Sequence, residues 1–159
     1  MNSIEAEQFD LLRMSHGVRD QGLAVISDRD LPFRLPGENH SLAELCEQQG
    51  RIEHAYAASF RDFELHLDSD LPEGEEFPGT DGLGEWFARR DEELEEALRS
   101  LREDDIAKRL IDRGGGWQVP VFIHFHIYRE SLLIFFGKVD IYLRALGRER
   151  SGEWFAWVG

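Results

Sequence analysis

The stretch VPVFIHFHIYRESLLIFFGKVDIYLRALG, residues 119–147, constrains this chain more than any other. Pro120 suits the first turn of a helix, good helix formers follow it, and Gly147 stands just past Leu146 as a stop. At about 1.5 Å per residue such a helix runs roughly 40 Å. Its apolar residues, among them Phe122, Phe125, Leu132, Phe135, Phe136, Val139 and Leu143, circle most of the cylinder. A helix apolar on nearly every side has to be covered on nearly every side. His124, His126, Arg129, Glu130, Lys138, Asp140 and Arg144 interrupt it too often for a membrane span. The expectation is a central helix that packs on its own bundle with one face and on a second subunit with another.

At 159 residues the chain is long enough for one full core, so a single domain over 1–159 is expected. The lone cysteine, Cys46, excludes an internal disulfide framework, and MNSIEAEQFDLL has acids where a signal peptide needs bases. Both point to the cytoplasm. A net charge of −14, from 32 acids against 18 bases, opposes binding to nucleic acid, and no Lys/Arg cluster with interleaved aromatics is present.

Residues 3–26 carry apolar side chains at helical spacing, and Ser41 with Glu44 forms a capping box that opens a second helix near Leu42, running to about Leu67. Between them lies a long connection, SDRDLPFRLPGENH, and after the second helix comes an acidic loop, DSDLPEGEEFPGTDG. A third helix is expected over 83–102, from the stripe Leu83, Trp86, Phe87, Leu94, Leu98 and Leu101. Its Arg89, Arg90, Arg99 and Arg102 read as a solvated charged face. Residues 106–111 read as a short turn or an irregular strand, and Gly114, Gly115 and Gly116 as a linker without the Lys and Ser or Thr of a phosphate loop. The tail GEWFAWVG is too aromatic to float free and should fold back or cross to a partner.

Four helices, long connections, a second helix beginning S-L-A-E-L with Glu53 further along it, and an ending GKVDIYLRALG together resemble the DinB/YfiT-like superfamily over nearly the whole chain. The resemblance implies an all-α four-helix bundle, commonly dimeric. It also implies a divalent metal held by three histidines, one from the second helix and an H-x-x-x-H pair from the last, which activates a thiol or water in transferases and hydrolases. Laid on that pattern, this sequence has Gln48 at the second-helix position and Ser131 and Phe135 at the other two. Phenylalanine cannot ligate a metal, and glutamine and serine are poor ligands for zinc or nickel.

The expectation is therefore no metal and no cofactor, and a former metal cavity lined by Gln48, Glu53, His124, Tyr128, Ser131 and Phe135. A relocated site using His54 with His124 or His126 is the alternative. At 3.6 residues per turn His54 points about 120° from Gln48, and His124 and His126 lie about 200° apart, so a shared pocket is hard to assemble. The simpler reading places His124 hydrogen-bonded in or beside the core, His54 and His126 at a boundary, and His16, His40 and His66 in solvent. Cys46 reads as packing rather than as a nucleophile, and Glu53 as the partner of a nearby base such as Arg51 or Arg129.

Three functions follow. The first is a metal-free small-ligand-binding or interaction module, dimeric through the C-terminal helix and tail. The second is a thiol-dependent transferase or metal-dependent hydrolase with a displaced site. The third is a structural or regulatory dimer partner.

Overall fold

The computed structural model describes residues 1–159. In chain order the elements are α1 (Ser3–Leu23), α2 (Leu42–Asp62), α3 (Leu83–Ser100), α4 (Glu103–Lys108), β1 (Leu110–Asp112), β2 (Gln118–Pro120), α5 (Val121–Ala145) and α6 (Gly152–Val158). The four long helices α1, α2, α3 and α5 form an all-α bundle, and the two-stranded sheet is a minor addition. No helix is long and apolar enough to cross a membrane.

Local chemistry sets most of the boundaries. Asn2 caps α1 by accepting from the Glu5 N–H, while its own amide donates to the Leu98 and Leu101 carbonyls and so ties α1 to the end of α3. The Ser41–Glu44 capping box is formed on α2. That helix stops at Asp62 rather than near Leu67, because Phe63 takes a left-handed conformation (φ 63°). The freed backbone pairs elsewhere: Asp112 N–H donates to the Phe63 carbonyl, and Leu65 N–H donates to the Asp112 carbonyl.

Residues 103–112 divide into the short helix α4 and the strand β1. The three glycines are a hairpin rather than a linker. Gly114, Gly115 and Gly116 all have positive φ, and they turn β1 back antiparallel onto β2, which runs straight into α5.

Each long helix is apolar at its two ends and polar at mid-height. One core cluster gathers Val18, Leu42, Cys46, Trp86, Phe87, Leu132 and Phe136, and the other gathers Leu12, Tyr56, Phe60, Leu98, Phe125 and Tyr128. Two tryptophans lock the first cluster by lying on glycines. The Trp86 ring occupies the space over Gly50, and the Trp154 ring that over Gly22. The aromatic tail folds back on its own chain: Trp154 is buried against α1 and donates its indole N–H to Asp140 at 3.0 Å. Burial raises the Asp140 carboxyl, but hydrogen bonds from Arg150, Trp154 and Arg144 outweigh it and hold that carboxyl below its ordinary range.

One expectation needs correction. Arg90 belongs to no solvated face: it is buried and paired with Glu93 and with Glu75 of the acidic loop, which it fastens to α3. Along α5, which packs on the bundle with one face, the other face stays open within the single chain. Ile123, Leu133, Ile134 and Ile141 are all exposed along it.

Candidate functional site

Between the two core clusters lies a polar belt. Arg19 of α1, with no exposed surface, is its only cation. Its guanidinium donates to Asp91 at 2.8 and 2.9 Å, to Asp20 at 2.8 and 2.9 Å, and to both oxygens of Glu53 at 3.2 Å. The ring of Phe87 lies 4.2 Å from the guanidinium carbon. Gln49 donates to Glu53 at 3.0 Å, one turn along α2. Three carboxylates thus share one cation, and Glu53, fully buried and holding the longest contacts, is the one that keeps a proton most readily. Burial pushes its carboxyl up to about 7 against the pull of Arg19.

His16 was expected in solvent. It is instead buried within the belt, with Nδ1 3.0 Å from Asp91 and Nε2 2.9 Å from the Tyr128 hydroxyl. Burial and the neighbouring Arg19 push the imidazole well below its ordinary range. A neutral ring beside a carboxylate carries its proton on Nδ1, so Nε2 accepts from Tyr128. Burial, with Glu53 and Asp91 nearby, keeps that phenol protonated.

His124 stands in a second array nearer the hairpin. Arg113 can only donate, and its Nη1 lies 2.8 Å from Nδ1 of His124. Nε2 therefore carries the proton and gives it to Ser59 Oγ at 2.8 Å, and Ser59 in turn donates to the Tyr56 carbonyl. Burial and Arg113 lower the imidazole to about 3. Both histidines are neutral, oriented and fully engaged, with no open coordination or proton-transfer position.

The six residues read as one cavity therefore lie in three places. Gln48, Ser131 and Phe135 do share a cleft between α2 and α5, about 110 Å³ in volume, with Leu45, Ile52, Ile134 and Lys138. Glu53 and Tyr128 belong to the belt, and His124 to the hairpin array. The metal that the resemblance implies does not fit the cleft. Phe135 offers no donor atom, Ser131 spends its hydroxyl proton on the Tyr128 carbonyl, and no group of three His, Cys, Asp or Glu side chains is placed to hold an ion. His54 is committed to Glu93 at 2.9 Å. Cys46 is buried, and burial pushes its thiol up to about 12, the opposite of an activated nucleophile.

Arg19, Asp91, Gln49, Arg113 and Ser59 were not anticipated as partners. The spacing of Gln49 and Glu53, four residues apart on one helix, was the one signal available for any of them. Asp91 opens the run DEELEE and is indistinguishable there from its solvated neighbours.

No family model matches the chain, and no curated protein matches it. A solved structure does: the crystal structure of the DinB-like protein YjoA from Bacillus subtilis, at 18% sequence identity. The match covers 87% of this chain and 91% of that one, with a TM-score of 0.69. The architecture is the DinB-like fold. At this identity the likeness is one of fold, and function has to be argued from the site.

Proposed function

We propose that this chain is a metal-free interaction module on the DinB-like fold, acting by binding rather than by metal-assisted chemistry. The observation that carries the reading is the cleft of Gln48, Ser131 and Phe135. The three positions that the resemblance assigns to metal ligands do converge, and they offer an amide, a committed hydroxyl and a phenyl ring. A transferase or hydrolase with a displaced metal would need donors elsewhere, and His16, His54 and His124 are each tied to a partner. Cys46 offers no nucleophile of the chain's own, since burial pushes its thiol up to about 12.

Small-ligand binding is the second reading. It is favoured by the way the cleft meets a pocket of about 220 Å³ across shared Leu45 and Lys138. The cleft alone is below the roughly 300 Å³ at which small-molecule pockets begin.

Elemental analysis of tag-free protein, before and after exposure to zinc and nickel followed by dialysis, tests the proposal. The expected result is no retained metal. Retention of about one ion per chain, surviving dialysis as a structured site would, overturns it.

A further inference from the structure

The buried belt leaves one charge short of a partner at its edge. Arg19 faces Glu53, Asp91 and Asp20, and His16 is neutral, so even with a proton on Glu53 two carboxylates share one guanidinium. Glu53 and Asp91 each present both oxygens to Arg19, whereas Asp20 receives both of its bonds on Oδ1. Its Oδ2 accepts no hydrogen bond within the chain. Burial, with Asp91 nearby, raises the Asp20 carboxyl against the pull of Arg19. The anion is thus held at a cost that a further cation would relieve.

Asp20 is also the one charged residue lining a cavity of about 210 Å³ between the end of α1 and the start of α3. Leu23, Leu83 and Phe87 supply its hydrocarbon, and Phe87 already holds the Arg19 guanidinium carbon 4.2 Å from its ring. Thr80 completes the lining and is fixed in place, because its N–H and hydroxyl both donate to Asp28 Oδ1, at 3.0 and 2.7 Å. The cavity shares no residue with the cleft of Gln48, Ser131 and Phe135 between α2 and α5. It is smaller than pockets for drug-sized molecules, yet an apolar cavity of about 150 Å³ takes benzene. One aromatic ring or branched alkyl group with a short polar arm therefore fits.

The charges around the cavity select a cation. An anion would meet Asp20 on a chain that carries −14, and a neutral apolar molecule would cover Oδ2 without offering it a donor. An ammonium supplies both the donor and the charge. Helix α1 has no basic residue in its last turn, so its carbonyl end is uncompensated and favours a cation, while Glu85 in the first turn of α3 offsets the positive end of that helix. We propose that this cavity binds a small primary amine with an apolar body, its ammonium donating to Asp20 Oδ2 and its hydrocarbon lying on Leu23, Leu83 and Phe87. This goes beyond the interaction-module reading and does not depend on the cleft.

An NMR titration of the isotope-labelled full chain with benzylammonium tests the site, with benzyl alcohol and benzoate as controls of the same shape. In wild type, benzylammonium should shift the amides of Leu23, Ala24, Thr80 and Gly84 and saturate with a Kd of about 1 mM or tighter. Benzyl alcohol should bind at least about tenfold more weakly, since the charge-assisted bond is lost, and benzoate more weakly still. Asp20→Asn should bind the ammonium and the alcohol alike, and its amide spectrum verifies the fold. Ala24→Phe, at an exposed position on the cavity wall, fills the space without touching the belt and should abolish binding of both. Four results would each overturn the site: no saturable shift in wild type by about 20 mM, alcohol bound as tightly as ammonium, the ammonium preference intact in Asp20→Asn, or binding that survives Ala24→Phe. Metal content does not enter this readout, so the elemental analysis tests the interaction-module reading separately.

Discussion

Replacing Glu53 by Gln probes the belt directly, because Glu53 is the member whose charge the belt holds least well. Arg19 gives its shorter bonds, 2.8 and 2.9 Å, to Asp91 and Asp20, and reaches Glu53 at 3.2 Å. With the carboxyl raised from 4.5 to about 7, the native protein binds a proton that the unfolded chain releases between those two values. The sign follows: stability from this group is fully present below pH 4.5 and is lost as pH rises through 7, by about 3 kcal/mol in all. Glu53→Gln removes the titrating proton and keeps the shape. Urea unfolding of both proteins at pH 5 and pH 8 measures the effect as a difference of differences. His16 and His124, which burial keeps neutral and which therefore favour the native state as pH rises, act alike in both proteins and cancel. The variant should gain on wild type by about 2–3 kcal/mol between pH 5 and pH 8. An unchanged pH dependence, or a loss of about 3 kcal/mol at both pH values, would show Glu53 to be an ionised partner of Arg19 and refute the reasoning.

Two further outcomes follow from the packing. A Cβ at Gly50 would fall inside the Trp86 ring, and one at Gly22 inside the Trp154 ring. Gly50→Ala and Gly22→Ala should each cost about 1–3 kcal/mol in urea unfolding, against a gain of about 0.5–1 kcal/mol for Ala at the open helical position Gly17. Cys46, buried with its thiol pushed up to about 12, should stay unmodified by a thiol reagent at pH 8 in native protein and react once urea unfolds the chain. Rapid labelling of folded protein would contradict that burial.

The central helix could be read ahead of the structure because its evidence is local. Apolar density, Pro120 and Gly147 act within a turn or two of themselves. The Ser41–Glu44 box was readable for the same reason, since both partners lie three residues apart on one backbone. The hairpin at Gly114–Gly116 was not, because a glycine run permits a turn and a linker equally, and the pairing of Leu110 with Pro120 decides between them. The early end of α2 is similar: Phe63 leaves the helix where the Asp112 backbone, 49 residues on, offers hydrogen bonds to the freed groups.

The sequence by itself determined an all-α bundle around α5 and a cysteine without a disulfide partner. These depend on residue type and on periodicity along one helix. Only the tertiary structure decided that His16, Arg19, Glu53, Asp91 and Tyr128 form one buried belt, that Glu53 pairs with Arg19 rather than with Arg51 or Arg129, and that α5 keeps an open face. Those facts depend on the relative height and rotation of four helices. A slide of one helix by one residue, about 1.5 Å along its axis and 100° around it, would have moved its polar side chain out of the belt.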